Sequence, residues 1–192
     1  MRLFIGIELP EQIIAELHSL QNLLRKKVRR GRFPSKHNLH LTLQFLGETS
    51  ENRIEDIIRL LQTVAKVNSP FKLSFNAHLG SFGHKNPVRV VWVGVKGEME
   101  VLLQLQTSIV GRMQELGFPA ETRGYHPHVT LARDVDFIDK DFLLDQEEGE
   151  FDIGQLSCFN IDHFCLLSSN VEQGKRIYNI VETFKLIDTD TK

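Results

Sequence analysis

The chain has 192 residues, is 41% apolar and 25% charged, and carries a formal net charge of −2. That length suits one compact domain, or one domain built of two similar lobes, and the composition is ordinary for a soluble globular protein. No apolar run approaches the ~18–20 residues of a membrane span, and the near-neutral charge excludes a general polyanion sponge, so any contact with nucleic acid would need a local basic patch.

The opening RLFIGIEL (2–9) reads as a strand with Leu3, Ile5, Ile7 and Leu9 on one face, and not as a secretory leader. Pro10 opens a helix running to about Val28, with Ile13, Leu17, Leu20 and Leu24 as its apolar stripe; it ends in RKKVRRGR, where Gly31 is a stop. A strand over about 38–46 follows, then a helix over about 51–66 with Ile54, Ile57, Ile58, Leu61 and Val64 facing inward. Phe71, Leu73, Phe75, Ala77 and Leu79 alternate in the next strand, GHKNP turns the chain, and VRVVWVGV (88–95) returns antiparallel. A third helix over about 98–116 carries Val101, Leu102, Leu105, Ile109, Met113 and Leu116. A strand at about 127–133, a weak helix at about 139–146, and closing strands at about 155–167 and 175–186 complete the chain. The two cysteines, Cys158 and Cys165, are too few for a disulfide framework; their odd spacing in one strand opposes a bond between them and fits a reducing cytoplasm.

Two strands share one motif. HLTL begins at His40 and HVTL at His128, 88 positions later, each after a long helix. Residues i and i+2 of a strand project from the same face, about 7 Å apart along it. His40, Thr42 and Gln44 therefore share a face, with Leu39, Leu41, Leu43 and Phe45 opposite; His128 and Thr130 likewise oppose Val129 and Leu131. If the repeated lobes face each other, two imidazoles and two hydroxyls meet in one cleft. Imidazole titrates near ~6.5, so one ring can be neutral and the other charged, supplying a base and an acid without a metal. The hydroxyls can donate to the oxygens of an anion, and a phosphodiester, a strained cyclic one above all, suits that frame.

Five stretches, RLFIGIELP, NLHLTLQFLGE, LGSFGHKNPVRVVWVGV, HPHVTLARD and LLSSNVEQGKRIYNIVETFKL, together resemble the 2H phosphoesterase superfamily. Within it the chain is similar to the LigT-like RNA 2′,3′-cyclic phosphodiesterases, first described as 2′-5′ RNA ligases. The resemblance implies a bilobal α+β fold with pseudo-two-fold β-α-β(HxT)-α-β lobes and two antiparallel sheets around a central groove. It would form a single domain over 1–192, with approximate halves 1–86 and 87–192. It also implies hydrolysis of a terminal 2′,3′-cyclic phosphate to a 2′-phosphomonoester without metal or cofactor. His40 would be the proton donor to the departing 3′ oxygen and His128 the proton acceptor from water; spacing alone is symmetric and does not assign these roles. Thr42 and Thr130 would hold phosphoryl oxygens. Arg133 is expected near the phosphate, although strict alternation sets it opposite His128 unless a bulge intervenes. Phe33 stands where relatives commonly carry Trp; it can stack on a base but lacks the indole donor.

RKKVRRGR is either a track steering an RNA backbone, with Arg32 nearest the motif strand, or a solvated helix end whose cations suit the helix dipole. His37/His40 and His126/His128 have pairwise metal spacing but lack an obvious third ligand. His126 either lines the groove or sits at the surface. Trp92 reads as core before ligand platform, and Ser81 and Phe82 can approach the groove. His18, His78, His84 and His163 have no motif context and read as structural or exposed. No Walker A or dinucleotide fingerprint is present, so ATP-driven ligation has no support. The expected partner is RNA with a 2′,3′-cyclic phosphate end, or a tRNA fragment or small cyclic nucleotide, and the protein is expected to act on it as a cytoplasmic monomer. Joining of a 5′-hydroxyl end by the reverse reaction, or RNA binding without catalysis, are the alternatives.

Overall fold

The computed structural model describes residues 1–83, 87–139 and 156–188. In chain order these form β1 (Arg2–Glu8), α1 (Glu11–Arg25), β2 (Val28–Arg32), β3 (His40–Glu48), α2 (Ile54–Ala65) and β4 (Phe71–Phe82). There follow β5 (Val88–Gly97), α3 (Met99–Glu115), β6 (His128–Phe137), β7 (Phe159–Ile161), β8 (His163–Glu172) and β9 (Lys175–Lys185). The helix expected at about 139–146 lies outside the described residues, as does His84.

The strands form one antiparallel sheet of nine in the order β7-β4-β5-β6-β3-β1-β8-β9, with β2 also on β6. Two separate sheets were expected. Instead the two sides join at the motif strands, through the single pair Leu41↔Val129. Nor do the sides coincide with 1–86 and 87–192. β4 pairs with β5, and β8 lies beside β1 with β9 on its outer side. The reason is local connectivity: strands joined by short turns pair with each other wherever the midpoint of the chain falls. β8 and β9 turn tightly through Gln173 and Gly174, which have φ of 49° and 74°.

α1 stops at Arg25, three residues earlier than its pattern suggests, where the Lys26 and Lys27 amides reach back to Leu23 and Leu24 carbonyls. The basic stretch that follows is a strand and not a helix end. β6 runs on past its motif to Phe137 and presents an edge to Val28–Arg32, and this ladder outcompetes the helical propensity of the Lys/Arg run.

The core lies on one side of the sheet. Ile13, Leu17, Leu20 and Leu24 of α1, Ile57 and Leu61 of α2, and Leu102, Leu105, Ile109 and Met113 of α3 pack against Leu41, Leu43, Val129 and Leu131. A smaller cluster of Phe4, Cys165, Leu167 and Tyr178 stands apart from this core. No described helix is long and apolar enough to cross a membrane.

Candidate active site

The Leu41↔Val129 pair sets the geometry of the site. In an antiparallel register it puts His40 opposite Thr130 and Thr42 opposite His128, with the two histidines on a diagonal of roughly 7–8 Å between backbones. A local two-fold thus passes between the motifs, and both rings project from the face away from the helices.

Both motif strands carry a bulge at the same place. β1 pairs Gly6 with Thr42 and then Ile5 with Gln44, so Leu43 is an extra residue. β5 pairs Trp92 with Thr130 and then Val91 with Ala132, so Leu131 is extra. Each bulge reverses the alternation beyond it. Gln44, expected beside Thr42, is instead buried, with neither side-chain polar atom partnered among the described residues; Phe45, expected in the core, is 53% exposed on the motif face. The same reversal in β6 carries Arg133 onto the face of His128 and Thr130. Its charge reaches both rings and opposes protonation of each.

Helix glutamines hold the bulges. Gln21 of α1, fully buried, donates through Nε2 to the Leu131 carbonyl at 2.9 Å and to the Pro34 carbonyl at 3.1 Å. Gln106 of α3 donates to the Leu43 carbonyl at 3.4 Å. A bulge leaves a carbonyl without its ladder partner, and these side chains supply the donor. Periodicity did not find them, because a polar residue within an apolar stripe carries no sign of what it meets.

The rings are fixed in matching ways. His40 Nδ1 lies 2.8 Å from the Asn38 carbonyl, and His128 Nδ1 lies 2.6 Å from the His126 carbonyl. A carbonyl only accepts, so Nδ1 carries the proton in both rings and each neutral Nε2 keeps its lone pair. His40 Nε2 meets Thr42 Oγ1 at 2.9 Å. Asn38 is anchored in turn by its Nδ2 bond to the Arg176 carbonyl at 2.7 Å. Phe4 and Tyr178 flank the His40 ring at centroid distances of 4.9 and 5.0 Å, and Gly6 leaves room beneath, since a Cβ there would meet the Leu41 carbonyl at 3.0 Å. Burial, aided by Arg133 and His128, lowers the His40 pKa to about 4 against the pull of the Asn38 carbonyl. Burial also lowers that of His128, with His126 and Arg133 adding to it and the His126 carbonyl opposing.

The surroundings of the second motif are aromatic. Phe82 stands 5.1 Å from the His128 ring, and Trp92 packs on His126 at 4.6 Å. Trp92 pairs with Thr130, so it belongs to the motif face and not to the core behind the sheet; its Nε1 has no partner among the described residues. Gly80 makes this possible, because a Cβ there would lie 2.2 Å from the indole. Tyr125 spans the two motifs, donating from its hydroxyl to the Thr42 carbonyl at 3.0 Å, and burial pushes its pKa up. Tyr125, Phe4 and Tyr178 come from distant segments, and no local pattern in the sequence marks them for the site.

Arg32 pairs with Arg133 across the β2–β6 ladder and so reaches the same face, where it forms an ion pair with Asp134. Arg29 donates to the Phe137 and Ile138 carbonyls, and both Arg29 and Arg30 approach Asp136. Much of the basic stretch is therefore engaged along β6. Phe33 packs against the core, with the Arg25 guanidinium 4.0 Å over its ring, so one face of that aromatic is covered.

An antiparallel sheet backed by helices, with twinned His-x-Thr strands meeting at its centre, defines a symmetric two-histidine protein. The family model of the 2′-5′ RNA ligase superfamily matches residues 9–173, and the chain belongs to that superfamily. It is 32% identical over 185 residues to an RNA 2′,3′-cyclic phosphodiesterase of Methanocaldococcus jannaschii, covering 95% of this chain and 99% of that one. A protein of the same description from Methanothermobacter thermautotrophicus is 27% identical, with 97% and 99% covered. The crystal structure of Escherichia coli LigT in apo form superposes with a TM-score of 0.76 at 26% identity, over 97% of this chain and 98% of that one.

Proposed function

We propose that this protein hydrolyses RNA 2′,3′-cyclic phosphate ends to 2′-phosphomonoesters by metal-independent general acid–base catalysis. The observation that carries the reading is the Leu41↔Val129 register, which sets the two His-x-Thr doublets side by side on one face of the sheet. His128, its Nδ1 proton held by the His126 carbonyl, accepts the proton of the attacking water at Nε2. His40 delivers a proton from Nε2 to the departing 3′ oxygen. In the free protein that ring is neutral at pH 7, because burial holds its pKa at about 4; an anionic phosphodiester beside it favours the charged form and loads the acid as substrate binds. Thr42, Thr130 and Arg133 bind the nonbridging oxygens, where charge grows in the transition state. Arg32 meets a neighbouring phosphate at the groove edge, and Phe33 borders the path of the base.

The test is an oligoribonucleotide ending in a 2′,3′-cyclic phosphate, incubated with the protein in EDTA and resolved by product. A 2′-phosphate end is expected, and His40→Ala and His128→Ala should each cut turnover by at least ~10²-fold. A cyclic end that persists, or turnover that survives both substitutions, rejects the proposal. Adding a 5′-hydroxyl strand to the same mixture tests the reverse, joining reaction; water in molar excess favours hydrolysis.

A further inference from the structure

The motif face continues past His40 onto β1 and β8. Glu8 lies opposite His40 in the β1–β3 ladder, and Gly6 lies opposite Cys165 in the β1–β8 ladder. Extending the second register by two residues sets Glu8 opposite His163, on the face that also carries Cys165. One donor atom from each of Glu8, His163 and Cys165 lies within 4.8 Å of the others, the only such trio among the described residues. Cys165 Sγ is 3.4 Å from Glu8 Oε2 and 3.5 Å from Thr183 Oγ1. The His163 ring is held through Nδ1 by the Asp162 carboxylate at 2.6 Å, which fixes its tautomer and leaves Nε2 as a donor. A pocket lined by Glu8, Asp162 and His163 opens beside two of the three residues, while Cys165 is buried behind them.

We propose that Glu8, His163 and Cys165 form a zinc-binding site on the motif face, one strand beyond His40, with Asp162 orienting the imidazole. A mixed thiolate, imidazole and carboxylate set is the donor chemistry of Zn²⁺; Mg²⁺ and Ca²⁺ take oxygen ligands. Tetrahedral zinc, with bonds of ~2.0–2.3 Å, holds its donors roughly 3.3–3.7 Å apart. The Sγ–Oε2 separation already meets this, and the remaining spread closes by about an ångström. As the S–Zn bond forms, the thiol proton leaves to solvent, and water or an anion takes the fourth position. A carboxylate behind a histidine, holding its second nitrogen, is a recurrent arrangement at metal sites. The site takes no part in the two-histidine reaction and does not depend on it.

The full-length protein, stripped with EDTA and desalted, is titrated with Co²⁺ and then with Zn²⁺. One equivalent of Co²⁺ should bind with a sulfur-to-cobalt charge-transfer band and the visible bands of a tetrahedral ion, and Zn²⁺ should displace it. Cys165→Ser and His163→Gln should lose the charge-transfer band, while Cys158→Ser and His40→Ala keep it. Asp162→Asn should weaken Zn²⁺ binding by ~10–100-fold. His163 is part-exposed, so its variant tests the site even if Cys165→Ser fails to fold. Absence of the band at saturating Co²⁺, or its survival in His163→Gln or in folded Cys165→Ser, overturns the proposal. Each readout is independent of turnover, so loss of the phosphodiesterase reading leaves this one to stand or fall alone.

Discussion

Binding phosphate at the motif face should convert the His40 ring from neutral to charged at neutral pH. In the free protein burial dominates, with Arg133 and His128 adding repulsion, and the pKa is lowered to about 4. A phosphoryl oxygen at hydrogen-bond distance from Nε2 puts opposite unit charges about 4 Å apart. At an effective dielectric near ~20 that attraction is worth ~4 kcal/mol. At 1.36 kcal/mol per pKa unit this is a rise of ~3 units, to a bound value near ~7. The protonated fraction at pH 7 then climbs from ~0.1% to about half. By linkage, phosphate affinity should rise close to tenfold per unit as pH falls from ~7 towards ~4, as far as the ligand keeps its own charge. Long-range ¹H–¹⁵N spectra of the imidazoles, recorded across pH with and without saturating inorganic phosphate, read this directly, with His40→Gln assigning the resonance. Arg133→Gln should raise the ring's free-state midpoint and weaken phosphate binding. A ring titrating at the same pH in both conditions, while other resonances report full occupancy, would refute the reasoning.

Acid stability should follow the same group. With its folded pKa at about 4 against 6.5 unfolded, His40 contributes nothing to the pH dependence above 6.5. As pH falls from 6.5 through 4 the unfolded chain takes up the proton first, so stability drops by up to about 3 kcal/mol; His128, also lowered, acts in the same direction. Urea midpoints should show this slope in the wild type and a shallower one in His40→Gln; equal slopes contradict it. Gln21→Leu leaves the Leu131 and Pro34 carbonyls without their donor and should cost ~1–3 kcal/mol. Because that bulge turns Arg133 to the groove, KM should rise with it; a variant of unchanged stability and KM would show that Gln21 does not hold the bulge. Gly80→Ala would drive a Cβ into the Trp92 indole and should cost ~1–3 kcal/mol. Trp92 is the only tryptophan, so a shift in fluorescence reports its displacement, and an unaltered spectrum counts against the packing described.

The sequence by itself determined the repeating local patterns. Periods of two and of three to four residues marked the first strand, the motif strands and three helices close to their observed bounds, and a His-x-Thr doublet in a strand has to present ring and hydroxyl together. It determined the family as well, since five motifs in fixed order survive translation into any register. What only the tertiary structure decided depends on partners remote in the chain. Alternation counts residues and cannot count a bulge, because the extra residue is defined by the strand opposite; hence Gln44 and Phe45 exchanged faces, and Arg133 came round to His128. The basic stretch became β2 because β6 offered it an edge. The meeting of His40 with His128 rests on one backbone pair, Leu41 with Val129, made by packing two halves whose strands are drawn from both ends of the chain.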